Sequence, residues 1–222
     1  KLHNRNTLKL FFGQTHSQDA ETNDWKKPVV SNDLIDFETV FRFTLGWWAE
    51  PYLAGRVESQ FLDTSDPEKD RYLNPAKFTE SGGVAKVFIK DEKTEWTTRL
   101  GAGIRQYLNR DVLNPVTSER KNLTSHDAGV TLDSEIKTNL AGDQITVTSK
   151  LTVFNALIYS KEDEVDNDYW KYPDVNWETI FTAGITKYLM VNLYLQILYD
   201  KEIDLGGRFK QSLSLGLTYK FI

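Results

Sequence analysis

No cysteine occurs among the 222 residues, so structural disulfides, thiol nucleophiles and cysteine-based zinc sites are all excluded. The chain also lacks any run of the roughly 18 to 20 apolar residues that a membrane-spanning helix needs. Its most apolar stretch, 188–199, is interrupted by Asn192 and Gln196. Histidine is scarce, present only at His3, His16 and His126. A dominant charge sign is missing too: 27 Lys+Arg stand against 32 Asp+Glu, a formal net charge of −5. Without a basic cluster there is no electrostatic reason to expect a nucleic-acid partner. Neither an initiator Met nor a basic-then-apolar leader precedes Lys1, which leads us to expect a mature or trimmed chain. A single domain over 1–222 is the expectation, because β-barrels of this length form one unit.

What the chain does have is alternation with period 2, the mark of strands whose two faces meet different surroundings. Phe37, Thr39, Phe41, Phe43, Leu45 and Trp47 share one face of a segment whose other face carries Glu38, Val40, Arg42, Thr44 and Gly46. Leu53, Gly55, Val57, Ser59 and Phe61 oppose Arg56, Glu58 and Gln60. Trp96, Thr98, Leu100, Ala102 and Ile104 oppose Thr97, Arg99, Gly101, Gly103 and Arg105, and Val130 to Leu140 repeats the pattern against Asp133, Glu135 and Lys137. The last segment sets Phe209, Leu213, Leu215, Leu217, Tyr219 and Phe221 against Lys210, Ser212, Ser214, Gly216, Thr218 and Lys220. Segments at about 5–13, 82–90, 144–158, 175–187 and 190–200 read the same way, for about ten strands in all.

All six prolines fall between these segments, as a ladder that needs every N–H requires. The connections alternate in length. Tight turns are expected near 49–51, 91–93, 141–143 and 188–189, and long polar loops over about 14–32, 63–80, 109–126 and 160–173, with a shorter one at 201–207. Such sorting is expected of an outer-membrane barrel, with turns toward the periplasm and loops outside. The fold class expected is therefore all-β: an antiparallel up-and-down transmembrane β-barrel with about ten strands visible.

Alternation alone leaves open whether the apolar face points inward, as in a soluble lipocalin-like barrel, or outward to lipid. Three features favour outward. The segments reach the roughly 9 to 11 residues of a tilted spanning strand. Aromatic rings gather at segment ends, where indole and phenol suit the headgroup zone: Trp47, Trp48, Tyr52, Trp96, Tyr188, Tyr219 and Phe221 near the turns, with Tyr107, Tyr159, Trp170, Tyr172 and Tyr199 near the loops. Glycines at 101, 103, 129, 184 and 216 lie on the polar face, where a tightly curled sheet crowds. With lipid outside, the polar face lines a lumen carrying Glu38, Arg42, Arg56, Glu58, Lys86, Arg99, Arg105, Asp133, Glu135, Lys137, Lys150, Glu178, Lys210 and Lys220. Both signs are present, and in so narrow an interior their pairing is expected to plug the passage.

From Asp174-Val175-Asn176-Trp177-Glu178, Thr186-Lys187-Tyr188-Leu189, Tyr199-Asp200 and Phe209-Lys210-Gln211 through to Phe221, the chain resembles a family of Gram-negative outer-membrane β-barrels defined only as a domain of unknown function. Ile35-Asp36-Phe37 and Asn74-Pro75-Ala76 extend the likeness, so that it spans most of the chain after about residue 33. The aromatic C-terminal strand also resembles the signal read by outer-membrane assembly machinery, with Ile222 one residue beyond the aromatic. The resemblance implies a bacterial outer-membrane location and a further strand pair before Lys1, giving about twelve strands; it implies no catalytic residue.

Each candidate site has a plainer reading. A lipase resembling the outer-membrane phospholipases would need a His–Ser pair on the lipid-facing wall, and the candidates are His126 with Ser125 or Ser118. Adjacent residues on a strand point to opposite faces, which leaves His126 a loop-rim histidine. The acidic runs Asp63, Asp66, Glu68, Asp70 and Glu162, Asp163, Glu164, Asp166, Asp168 lack the spacing of a helix–loop–helix calcium site and read as solvated loop charge. Asp163, Asp166 and Asp168 are the weak metal candidates. Gly101-Ala102-Gly103 has no helix after it and so is not a phosphate loop. No cofactor is expected. The expected role is a non-enzymatic scaffold touching outer-membrane lipids and another envelope protein or lipoprotein; the rival is a narrow transport channel for a small polar or lipidic solute.

Overall fold

The computed structural model describes residues 1–186 and 188–217, and its regular secondary structure is almost wholly strand. In chain order they are β1 (Leu2–Thr15), β2 (Val29–Phe43), β3 (Glu50–Ser59), β4 (Leu62–Asp63), β5 (Arg71–Tyr72), β6 (Ala76–Lys90), β7 (Thr94–Leu113), β8 (Arg120–Leu140), β9 (Ile145–Tyr159), β10 (Asp174–Gly184), β11 (Leu189–Tyr199) and β12 (Arg208–Leu217). Two single 3-10 turns, Glu162–Glu164 and Tyr169–Lys171, lie in the loop before β10.

Ten of these strands form one antiparallel sheet in the order β1-β2-β3-β6-β7-β8-β9-β10-β11-β12, so every neighbour in the sheet is also the neighbour along the chain apart from the small β4–β5 hairpin. The short connections have the chemistry their geometry demands. Asp91 accepts hydrogen bonds from the backbone N–H of Lys93 and Thr94 and closes the turn between β6 and β7. Ala141, Gly142 and Asp143 take positive φ in the turn between β8 and β9.

The expected strand count and up-and-down order hold, but the expected closed barrel does not. Among the described residues β1 and β12 have no ladder between them, and the sheet is an open, curled half-barrel. Their inward rows are both basic, Arg5 and Lys9 on one and Arg208 and Lys210 on the other, and like charges facing across a pair oppose direct contact. Other expectations need correction at the ends of strands. β2 stops at Phe43, so Leu45 and Trp47 belong to the connection rather than to the strand. Pro51 lies inside β3, not between strands. It is tolerated there because the ladder to β2 begins only at Tyr52, opposite Arg42. β7 and β8 run into the loop expected over about 109–126, pairing up to Leu113 opposite Arg120 and leaving only 114–119 as the connection.

The sheet is apolar on its convex face and charged on its concave one. Phe37, Phe41, Leu53, Val84, Leu100, Ile104, Val130, Trp177, Ile197 and Leu213 are exposed, whereas Asp36, Glu38, Arg99, Arg105 and Asp127 are buried. This inverts the arrangement of a water-soluble fold. Glycine permits the tight curl: a Cβ on Gly101 would stand 2.3 Å from the Gly82 carbonyl oxygen, and one on Gly129 2.0 Å from that of Asn155.

Candidate functional site

The concave face gathers charges from strands that are distant in the sheet. Glu38 on β2 accepts from the Arg99 guanidinium of β7 at 2.6 Å and from Lys150 Nζ of β9 at 3.2 Å. Arg99 also lies 3.5 Å from Asp133 on β8. Arg5 on β1 reaches Glu135 on β8 at 2.7 Å, and Lys9 on β1 reaches Glu178 on β10 at 2.8 Å, a pair with six strands between its members. Only a strong curl brings such strands within side-chain reach. Tyr52 lies beneath this layer with its ring centroid 5.5 Å from the Arg99 carbon and is 2 % exposed. It was expected among the outward interfacial rings; its even-numbered place beside Leu53 turns it inward instead.

Nearer the loops a second layer of paired groups lies on the concave face. Arg105 grips Asp127 with Nε and Nη2, at 2.8 and 2.7 Å, and pairs with Asp174 through Nη1. Its guanidinium carbon stands 3.7 Å from the Phe154 ring centre, a stacked cation–π contact. Phe154, Ala156 and Trp170 are buried together, with Tyr159 against Trp170. Thus Tyr107, Tyr159 and Trp170, expected in an outer belt, belong to the inside as well. On the flank, Arg56 is bidentate to Asp36, at 2.7 and 2.9 Å, and lies 3.0 Å from Glu58.

Most of the charges read as lumenal therefore meet one another. Arg42 pairs with Glu50 at 3.2 Å. Lys137 is exposed at the turn end opposite Glu95, and Lys210 is exposed on the edge strand β12. Lys86 was expected inside but lies on the outer face, where its Nζ bonds the Trp48 carbonyl at 2.7 Å and sits 4.9 Å from the Trp48 ring centre. Trp47 and Trp48 are exposed in the turn before β3, Trp96 stacks on Phe88 at 4.7 Å on the outer wall, and Tyr188 is exposed in the turn before β11. Tyr219, Lys220 and Phe221 lie outside the described residues. Sequence reading missed Asp36, Asp127, Asp174, Arg5 and Lys9. Asp36 and Asp127 share the parity of Glu38 and Asp133, so extending the alternation by one step from Glu38 and three from Asp133 would have found them.

Two cavities flank the paired layers. One of about 210 Å³ opens at the turn end beside Arg5, Arg42, Arg99, Glu135 and Lys150. The other, of about 780 Å³, opens among the loops and is lined by Tyr107, Asp127, Tyr159, Asp200 and Glu202. Burial together with the negative charges of Asp200 and Asp174 raises the Glu202 carboxyl above its ordinary value.

Beyond the rim, β4 and β5 dock on the extended β7–β8 hairpin through buried polar groups. Asp63 pairs with Arg71 at 2.7 Å and accepts from Asn74 at 2.8 Å, and Arg71 and Arg110 bond backbone carbonyls across the junction. Arg120 binds Asp66 at 2.8 Å and Glu68 at 2.7 Å, and Lys69 pairs with Asp111. Burial pushes the Asp63 carboxyl up, but hydrogen bonds from Ser65 and Asn74 and the Arg71 charge outweigh it and hold the group below its ordinary value.

The enzyme candidates do not converge. His126 faces outward and its backbone N–H donates to Ser160 Oγ at 2.9 Å, whereas Ser125 lies on the opposite face and Ser118 stands in the connection beyond the hairpin. Among the described residues no three His, Asp or Glu side chains are grouped to hold a metal ion. Asp163 lies in a 3-10 turn, and Asp168 pairs with Lys171 at 2.7 Å.

Neither models of known protein families nor curated proteins give a match to this chain.

Proposed function

We propose that the chain forms the wall of a transmembrane β-barrel in a bacterial outer membrane and serves there as a non-enzymatic scaffold that binds another envelope component. The observation that carries this reading is the inverted polarity of the sheet, with apolar side chains exposed on the convex face and paired charges buried on the concave one. Water on both sides would leave the convex face unexplained. Along β7 the outward row from Trp96 to Ile104 covers roughly 27 Å of strand at ~3.4 Å per residue, or about 20 Å when tilted. That approaches the ~25 Å apolar band of outer-membrane barrels.

In hydrocarbon a free strand edge leaves backbone groups without partners. Closure therefore joins β1 to β12, which run antiparallel at the two ends of the sheet, or adds further strands between them. The layers around Arg99 and Arg105 block the interior, so the surfaces left for a partner are the loops, above all the platform of β4–β5 on β7–β8. Chain refolded in detergent should migrate anomalously on a gel until boiled, and in planar bilayers it should give no single-channel steps. A band that stays soluble without detergent overturns the membrane reading; reproducible conductance steps overturn the plugged scaffold.

That second outcome would favour a narrow channel for a small polar or lipidic solute, a reading supported by the two cavities lying on either side of the paired layers.

A further inference from the structure

The convex wall is apolar over most of its area, so a charged side chain within it marks something other than bulk hydrocarbon. On β6 the outward residues run Phe78, Glu80, Gly82 and Val84, and Glu80 stands exposed in that row opposite Ile104 of β7. Among the described residues no cation lies within ion-pair distance of its carboxylate; Gln106 Nε2 donates to it at 3.3 Å. Gln106 is in register with His126 on β8, and both face outward. A carboxylate, a carboxamide and an imidazole thus occupy neighbouring positions at the loop-side margin of the apolar rows. Toward the turns, directly below Glu80, the wall is hollow: a depression of about 600 Å³ has Gly82 and Ala102 at its floor and Phe41, Leu53 and Ile104 at its flanks.

We infer that this patch binds one phospholipid whose headgroup carries both an ammonium and a phosphate, the Glu80 carboxylate taking the ammonium and an acyl chain filling the hollow. The inference rests on the outer-membrane reading above. Charge decides the class of ligand: a lone carboxylate repels an anionic headgroup and is completed by an ammonium. Depth agrees, because Glu80 lies one residue pair below Gln106, roughly 7 Å along the strand, within reach of a headgroup. A smooth apolar wall would hold lipid without such a choice.

The full chain, folded in detergent, would be analysed by native mass spectrometry with ethanolamine and glycerol phospholipids of identical acyl chains. The ethanolamine lipid should be retained about tenfold better, and Glu80→Gln should remove that preference while leaving heat-modifiability intact. Ala102→Phe, which fills the hollow, should lower retention of both lipids. Equal retention by the unaltered chain, or a preference that survives Glu80→Gln, overturns the site while the barrel reading stands. A chain that shows no heat-modifiable band overturns the barrel reading and this site with it. A photoreactive benzoylphenylalanine at Ile104 in native membranes should yield a lipid adduct; a polypeptide adduct in its place assigns the hollow to a protein partner and overturns the lipid.

Discussion

Arg99 is 5 % exposed and shares Glu38 with Lys150 while lying against Asp133 and the Tyr52 ring. A guanidinium so placed stabilises the interior only as a member of its set, because deleting one partner of a buried pair leaves the other charge without compensation. Arg99→Met should therefore destabilise the folded chain by about 3 to 5 kcal/mol, read as a lowered urea midpoint for the heat-modifiable form. Arg99→Lys should fall between the two, since an ammonium keeps the charge but loses the guanidinium by which Nη2 meets both Glu38 and Asp133. An unchanged midpoint in Arg99→Met would mean that water reaches the layer and screens it. That Arg99 and Glu38 face the same side could be read from alternation. That they touch could not: they are 61 residues apart, and the curl of the whole sheet selects the partner.

The β4–β5 hairpin has two residues in each strand and is joined to the β7–β8 hairpin through Arg71, Arg110 and the Arg120–Asp66 pair, so its seat depends on carboxylates staying ionised. Asp63 and Asp66 both sit below the ordinary value of 3.8, Asp63 through its hydrogen bonds and Arg71 and Asp66 chiefly through Arg120. For a group whose folded pKa is depressed, the stabilisation is complete above the unfolded value and is lost as pH falls through the folded one. Amide exchange at Arg71 and Tyr72, compared at about pH 5 and about pH 2 after correction for intrinsic rates, should show protection lost at the lower pH while the β7–β8 ladder nearer the turns keeps its own. Equal protection at both pH values would show that the hairpin is held by packing instead. The number of strands in the main sheet and the turns near 91–93 and 141–143 were legible because each strand meets two unlike surroundings, whereas the turn expected at 49–51 falls at 44–49. The outer halves of β7 and β8 were not, since Gln106 to Leu113 and Arg120 to Asp127 carry polar residues on both faces and the period fades. The hairpin itself is built by side-chain bonds such as Asp63 to Arg71, which leave no periodic trace.

At the scale of the whole molecule the open question is the seam. β1 and β12 run antiparallel and, among the described residues, each leaves one edge of backbone unpaired, a condition that the proposed membrane setting does not tolerate. Reading strands one at a time gives their number but not whether the ends of the sheet meet, because closure depends on the summed curl and on charge at the two edges. The absence of cysteine makes this directly testable, since any disulfide in an engineered chain must come from the introduced pair. Leu2, Leu8 and Leu10 on β1 and Leu213, Leu215 and Leu217 on β12 all point outward, so replacing them with Cys leaves the interior pairs untouched. If the barrel closes on itself, one pair among the nine should oxidise in membranes to a disulfide and shift the boiled, unreduced band, because directly opposed strand residues bring Cβ atoms to about 4.5 to 5.5 Å. Lys210→Glu in the same background should raise that yield, by turning like charges across the seam into a favourable pair worth about 0.2 to 1 kcal/mol. Silence across all nine pairs, with heat-modifiability retained, would mean that other strands fill the seam and that the ten described here are part of a wider wall.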